Sequence, residues 1–374
     1  MSKRQLFVCL IETAPAGHHG SMARYAELLE SALNDTAGEV RVKRVNLALS
    51  QHALSRVPAR FRMWAHHGWI MLGALFRLRR TKADVYHLLD GSHGYVARFL
   101  PAGRTVVTAH DIIPLLQMRR LLGGDPPGRG GRVVVNAGIR GLQCSSMVVC
   151  DSTSTLNDLC THAGIRAEKM SVVFPALSDE VTASAKALPD WHERRYREGA
   201  YILHLGHNGF YKNRAGTVRI FSMIYAAEPA MRLKLAGPPL DAGLTMLVEE
   251  LGLSGRVECI PNPEDGEVAD LYRHAALLLF PSVYEGFGWP PLEAMAFGCP
   301  VVCSSEGSLS EVAADAALTA VVEDERELAD HCLNILQNDA VAEEMVGRGF
   351  KRIRHFHPQQ MAEKLIEIYR KVGS

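Results

Sequence analysis

Glu285 and Glu293 stand with seven residues between them, Gly286-Phe287-Gly288-Trp289-Pro290-Pro291-Leu292, and the types in that stretch suit a binding site. The chain enters it through Ala275 to Phe280, a continuously apolar run of the kind a parallel strand covered on both faces requires. Pro281-Ser282 stops the run. Gly286 and Gly288 open backbone angles closed to other residues and allow a ligand to approach the chain. Pro290 and Pro291 suit the first turn of a helix, where their missing amide hydrogens cost nothing. The free amides at such a helix start carry about +0.5 of partial charge and attract anions. The chemistry on offer is anion binding flanked by two carboxylates. A loop separates the carboxylates, so helical periodicity leaves open whether they share a face.

Such a site needs a scaffold, and the chain supplies alternating strands and helices. Leu6 to Ile11 reads as a first strand, Thr13 to Ser21 as its loop, and Met22 to Leu33 as an amphipathic helix with Ala26, Leu29 and Leu33 on one face. Strand, glycine loop and helix open a doubly wound fold. The loop lacks the three-glycine dinucleotide spacing, and Gly17 and Gly20 either admit a phosphate to the backbone or make a plain tight turn. Asp84 to Leu89, Thr105 to Ala109 and Met147 to Cys150 read as parallel strands ending in Asp90, His110-Asp111 and Asp151-Ser152, at the strand ends where such sheets bind ligands. Gly123 to Gly131 reads as a loop, and Ser152 to Cys160 as a helix capped by Ser152 or Thr153. The pattern weakens toward Gly199 and restarts at Tyr201 to Leu205. It then runs through Leu233 to Gly237, Val257 to Ile260, Ala276 to Phe280 and Pro300 to Cys303. A last helix, Pro358 to Val372, carries Met361, Leu365, Ile368 and Tyr369 on one face. This order predicts an α/β chain of two doubly wound domains with a cleft between the carboxyl ends of their strands.

At 374 residues the chain is long enough for two cores. Its charge is uneven: residues 1–180 hold 22 Lys and Arg against 14 Asp and Glu, and the remainder holds 19 against 27. A basic half beside an acidic half either meets an anionic partner or simply partitions charge between domains. The eight cysteines show no metal-ligand spacing and read as buried free thiols of a reducing cytosol. Leu6 to Ile11 is too short for a signal-peptide core, and no apolar run reaches the length of a membrane span. The expectation is a cytoplasmic chain, peripheral at the inner membrane surface. Residues 60–82 carry that second part: Phe61, Trp64, Trp69, Ile70, Leu72, Leu75 and Phe76 interleave with Arg60, Arg62, Arg77, Arg79, Arg80 and Lys82. This is the composition of an interfacial helix facing anionic lipid, the bland alternative being a helix packed on its own domain with a solvated basic end. No basic and aromatic module of a nucleic-acid reader is apparent.

The glutamate stretch resembles the motif of retaining, nucleotide-sugar-dependent glycosyltransferases of family 4, the group 1 glycosyltransferases. The resemblance extends to Gly206 with Lys212-Asn213, Leu235-Ala236-Gly237, Leu271-Tyr272, Glu311-Val312, Thr108-Ala109-His110-Asp111 and Asp151-Ser152. It implies the GT-B fold, two Rossmann-like domains facing one another. Residues 1–180 would bind the acceptor, 181–199 would link, 200–355 would bind the nucleotide sugar, and 356–374 would return as a helix toward the first domain. It also implies that no metal neutralises the leaving diphosphate. Lys212 and the amides of Gly286 to Gly288 would do so, a preorganised donor being worth roughly 3–4 kcal/mol of barrier. Glu293 would bind ribose hydroxyls, Glu285 would meet the sugar near its C3 hydroxyl, and His110 would hydrogen-bond its C6 hydroxyl, roles that suit residues able to accept or donate at hydroxyls. Phe287, Leu292, Asn213 and Arg214 complete the donor set, with Gly17 at the phosphates and Ile260 beside the base. Front-face attack competes with a covalent role for Glu285, and the resemblance favours the former.

Two departures mark this chain. Relatives often carry arginine near the first glycine or just before the lysine, where this sequence has His207 and Tyr211; Arg214, or His207 with Asn208, would take over the diphosphate. Ile260-Pro261-Asn262-Pro263 stands where a glycine is common. The implied activity is hexosyl transfer from a UDP- or GDP-sugar to a hydroxyl acceptor, phosphate-bearing, lipid-linked or a soluble small molecule. A nucleotide-sugar epimerase or hydrolase, or a catalytically silent binding protein, are the rivals.

Overall fold

A computed structural model describes residues 4–15, 20–36, 38–178, 181–182, 188 and 190–373. The chain divides into two compact units, Met1–Ala176 with His357–Ser374, and Leu177–Phe356. Each is built on a six-stranded, all-parallel sheet.

The first sheet holds β1 (Leu6–Glu12), β2 (Val40–Asn46), β3 (Val85–Leu88), β4 (Thr105–Ala109), β5 (Met147–Cys150) and β6 (Met170–Val172), in the order β2-β1-β3-β4-β5-β6. Every residue of β3, β4 and β5 is buried, as helices on both faces of a parallel sheet demand. The edge strand β2 was not visible as an apolar run: its sequence, Val-Arg-Val-Lys-Arg-Val-Asn, exposes its basic residues. Helices α1 (Ser21–Asn34), α2 (Ala59–Arg77), α3 (Arg129–Cys144) and α4 (Thr153–Ala163) surround the sheet. Part of the expected loop at Gly123 to Gly131 is the first turn of α3. The cap of α4 is Ser152, whose hydroxyl accepts from the Thr155 amide at 3.0 Å. The short helical segment Gly91–Phe99 packs so tightly on α3 that a Cβ at Gly141 would lie 1.8 Å from the Gly94 carbonyl oxygen.

In the second unit α5 (Trp191–Tyr196) ties the region before the sheet to it: the Trp191 indole donates to the Ala276 carbonyl at 2.8 Å, and Arg194 donates to the carbonyls of Phe297 and Gly298. The sheet holds β7 (Tyr201–Leu205), β8 (Arg232–Gly237), β9 (Val257–Pro261), β10 (Leu277–Phe280), β11 (Val301–Ser304) and β12 (Leu318–Ala320), ordered β12-β11-β10-β7-β8-β9. The strand order reverses between β7 and β10, the switch point where doubly wound sheets open a crevice beyond the carboxyl ends. In the first sheet the same switch falls between β1 and β3. Helices α6 (Arg214–Ala227) and α7 (Trp289–Ala296) follow β7 and β10.

The last helix, α8 (Pro358–Gly373), belongs to the first unit and buries Met361, Leu365, Ile368 and Tyr369, the face read from its periodicity. Its anchor is polar. The Tyr369 hydroxyl bonds His87 Nδ1 at 2.6 Å, and His87 Nε2 bonds Thr108 Oγ1 at 2.8 Å, inside the sheet core. Burial pushes the His87 imidazole down to about 3, so this relay is neutral.

Candidate active site

In the second unit the residues singled out in the sequence gather at the switch point. β7 ends at Leu205, and Gly206 and Gly237, at the ends of neighbouring strands, approach so closely that a Cβ on Gly237 would lie 2.2 Å from the Gly206 carbonyl oxygen. Lys212 follows in a short turn. Its ammonium reaches Glu285 Oε1 at 2.7 Å and stands 5.1 Å from the Phe280 ring centroid, a cation held over an aromatic face. Both members of this pair are largely buried, so the attraction is little screened.

Glu285 is fixed from behind by a segment the sequence reading did not single out. The Ser308 amide and hydroxyl both donate to the Glu285 carbonyl at 3.1 Å, and the hydroxyl also reaches the Phe287 carbonyl at 2.6 Å. Gly307, at φ +60°, makes this approach feasible: a Cβ there would lie 2.6 Å from the Glu285 carbonyl oxygen. The signal in the sequence was Glu306-Gly307-Ser308, a glycine and a hydroxyl after β11. Gly288 at φ +101° turns the chain into α7, whose first turn contains Pro290 and Pro291. Phe287 is buried between Trp289 and Phe356. Leu292 is buried, and Glu293, also buried, accepts from the Tyr272 hydroxyl at 3.1 Å. Gly286 lies in the loop between them.

Asn213 has a local task. It takes the left-handed conformation at φ +49°, caps α6 by accepting from the Gly216 amide, and donates to the Pro281 carbonyl at 2.9 Å, tying the lysine turn to the glutamate loop. His207 and Tyr211, where arginine was expected, bond each other at 2.7 Å. The Gly209 amide donates to His207 Nδ1, so Nε2 carries the proton. Burial and the neighbouring Lys212 lower the His207 pKa, leaving this pair neutral. The second cation is Arg214. It is 5% exposed, donates through Nη1 to Asn208 and to the Pro238 carbonyl, and its Nε and Nη2 have no hydrogen-bond partner among the described residues. A buried guanidinium with two unused donor nitrogens is a standing demand for an acceptor. Ile260 lies half-buried in the edge strand β9.

In the first unit, β4 and β5 run in a register that pairs Ala109 with Cys150, so His110 and Asp151 emerge side by side. Their Nδ1 to Oδ2 distance is 2.5 Å, and His110 Nε2 meets the Leu89 carbonyl at 2.8 Å. Both ring nitrogens are therefore held by the protein, binding together the carboxyl ends of β3, β4 and β5. The contact with a sugar hydroxyl expected of His110 would have to replace one of these bonds. Burial works to lower the His110 pKa, but the charge and hydrogen bond of Asp151, with Asp90 and the Leu89 carbonyl, outweigh it and raise the imidazole to about 9. His110 is an imidazolium at neutral pH. The Tyr25 ring meets it edge-on, with centroids 5.0 Å apart. Asp90 bonds Ser92 and His93, and His67 and His93 stand with ring centroids 5.3 Å apart. Gly17 lies outside the described residues. All eight cysteines are free.

Residues 190–352 match the model of the family described as glycosyl transferases group 1. The O-antigen chain mannosyltransferase B of Escherichia coli is 32% identical over 198 residues, 52% of this chain and 52% of that one. The D-inositol 3-phosphate glycosyltransferase of a Nocardioides species is 26% identical over 317 residues, 77% of this chain and 67% of that one. The chain thus spans about half the length of the first relative and two thirds of the second. Among solved structures, the sucrose-phosphate synthase from Thermosynechococcus elongatus superposes with a TM-score of 0.76 at 19% identity, over 98% of both chains. Anabaena HepE in complex with UDP-glucose does so with a TM-score of 0.70 at 16% identity, over 97% of this chain and 99% of that one. At such identities the likeness establishes a common fold, GT-B, with two Rossmann-like domains. With that fold around it, the matched segment, residues 190–352, is similar to the group 1 glycosyl transferases.

Proposed function

We propose that this chain is a glycosyltransferase that moves a hexosyl unit from a UDP- or GDP-sugar to a hydroxyl acceptor, with retention and without a metal. The observation that carries the reading is the Lys212–Glu285 pair at 2.7 Å beside the glycine-led start of α7, at the switch point of the second sheet. When the bond from anomeric carbon to phosphate oxygen breaks, negative charge grows on the leaving diphosphate. Lys212, the amides of Gly286 to Gly288 and the open donors of Arg214 supply positive charge for it, in a buried site where such charge acts strongly. This is the ground for a metal-independent reaction. Glu285, oriented by Lys212 and by the grip of Ser308 on its backbone, meets the sugar hydroxyls, and Glu293 meets the ribose. The departing phosphate oxygen takes the acceptor's proton on the same face, which preserves the anomeric configuration.

The donor class is supported by the family, by the UDP-glucose complex of HepE and by the mannosyltransferase name of the E. coli relative. The acceptor falls to residues 1–180, whose basic excess suits a phosphate-bearing or lipid-linked alcohol in glycan assembly. Thermal-shift measurements with UDP, GDP and their sugars test the donor. A true donor raises the melting temperature by mass action in the wild type and much less in Arg214→Met. The donor assignment fails if no uridine or guanosine diphosphate compound shifts the melt.

A further inference from the structure

Helix α2 is inside out. A helix on the surface of a doubly wound unit normally buries its apolar stripe and shows water a polar one. Here Ile70 and Ala74 are the buried residues, and His66 and His67 lie near them on the half-buried side. His67 Nδ1 bonds the Tyr95 hydroxyl at 2.8 Å, which fixes that side of the helix toward its own unit. Phe61, Trp64, Trp69, Met71, Leu72 and Phe76 are left outward, between 44% (Trp69) and 61% (Phe76) exposed. At 100° per residue Phe61, Leu72, Phe76 and Trp69 fall on one side, with Trp64 and Met71 beside them, so the outward face is apolar over its whole length of about 28 Å. Large exposed apolar surface of this extent marks an interaction site.

Charge says what covers it. No Asp or Glu occurs between Glu39 and Asp84, while Arg60, Arg62, Arg77, Arg79, Arg80 and Lys82 lie along or just beyond the helix. Arg60 and Arg62 project near the borders of the apolar face, where long side chains can lay their stems along it and keep their charge in water. The start of α3 extends the surface: Val133 is exposed there, and Gly130 is close enough to Met63 and Trp64 that a Cβ would touch both. Arg129 and Arg132 accompany it. No helix among the described residues is long and apolar enough to cross a membrane.

We infer that the outward face of α2 seats the first unit on an anionic lipid surface, with Phe61, Trp64, Trp69, Leu72 and Phe76 in the headgroup boundary and the flanking arginines on lipid phosphates. The inference does not depend on which reaction the protein catalyses. It also gives α2 two duties, since its other side holds His67 against Tyr95 and beside His93, next to the switch point of the first sheet.

The test is flotation of the full chain with vesicles of phosphatidylcholine alone and of phosphatidylcholine with phosphatidylglycerol, read alongside tryptophan emission. The wild type binds the anionic vesicles more than roughly tenfold better, with a blue shift from Trp64 and Trp69. The combined variant Trp64→Gln, Leu72→Gln, Phe76→Gln keeps its melting temperature and loses vesicle binding by a similar factor. Met246→Gln, an exposed apolar residue of the other unit, changes neither. Equal binding to both vesicle types, or binding that survives the triple variant, overturns the inference. So does a concentration-dependent dimer in light scattering that the triple variant dissolves while neither protein binds vesicles, since a second copy would then be the occupant.

Discussion

The His110–Asp151 pair makes a quantitative prediction, because its two partners are buried and its register is set by adjacent strands. The perturbation is Asp151→Asn, which keeps the shape and an acceptor but removes the charge. Asp151, with Asp90 and the Leu89 carbonyl, lifts the imidazole from 6.5 to about 9 against the opposing effect of burial. A folded-state pKa raised above the unfolded value means that protonated His110 favours the folded form. That stability is fully present below about pH 6.5 and is lost as pH rises through 9. At about 1.4 kcal/mol per unit, the raised pKa corresponds to about 3 kcal/mol at pH 6 and little of it at pH 10, with Asp151 the largest of the groups that raise it. Breaking a buried pair by deleting one partner independently suggests about 3–5 kcal/mol. The two units need not unfold together, so the measurement should be local: amide exchange on peptides covering β4 and β5, corrected for intrinsic rates. At pH 6 the wild type should be protected roughly a hundredfold more than Asp151→Asn, and the gap should close toward pH 10. A gap below about 0.5 kcal/mol at pH 6, or one that stays constant across this range, would refute the assignment of His110 as a protein-held imidazolium.

Other predictions address the second unit and the core relay. Lys212→Ala should lower transfer by roughly 10²–10³, and it should also destabilise the fold by leaving Glu285 unpaired; adding Glu285→Ala should restore part of the stability but none of the activity, as a double-mutant cycle would measure. Gly307→Ala places a methyl 2.6 Å from the Glu285 carbonyl at a positive φ, so about 1–3 kcal/mol of strain is expected. Its transfer rate, assayed below the melting transition, should fall more steeply than stability explains; an unchanged rate would separate Glu285 from the grip of Ser308. Tyr369→Phe removes the hydroxyl that bonds His87 at 2.6 Å and should cost about 1–3 kcal/mol in urea unfolding of the first unit. A neutral result there would mean that α8 is held by its apolar face alone.

The strands show where local sequence suffices. β4, β5 and β7 begin and end where the apolar runs do, because a parallel strand covered on both faces admits little else. The edge strands β2 and β12 escaped, since an edge exposed to water tolerates Arg41, Lys43 and Arg44, and the pairing that defines it comes from β1 rather than from its own residues. The glutamate loop was legible because glycines and prolines act through their own backbone angles, as Gly288 at φ +101° and Pro290-Pro291 do here. What held the loop was not legible: Ser308 is 23 residues from Glu285 and meets it only when β11 lies beside β10.

Side-chain roles divide on the same line. The resemblance to group 1 glycosyltransferase motifs marked Lys212, Glu285, Glu293, His110 and Arg214 as candidate site residues. Which of their atoms are open was a matter of three-dimensional neighbours. Asn213 turned out to be a helix cap, His207 and Tyr211 satisfy each other, both nitrogens of His110 are taken, and Arg214 keeps two unused donors. The composition of residues 60–82 likewise suggests a helix of apolar and basic residues, but only packing decides which face turns inward. The sequence by itself therefore determined the two series of alternating strands and helices, because these follow from local burial and backbone preference, and it marked the charged groups through their resemblance to a family's motifs. Hydrogen-bond satisfaction and the outward apolar face of α2 were decided by tertiary structure, because each depends on atoms that the chain brings together from distant positions.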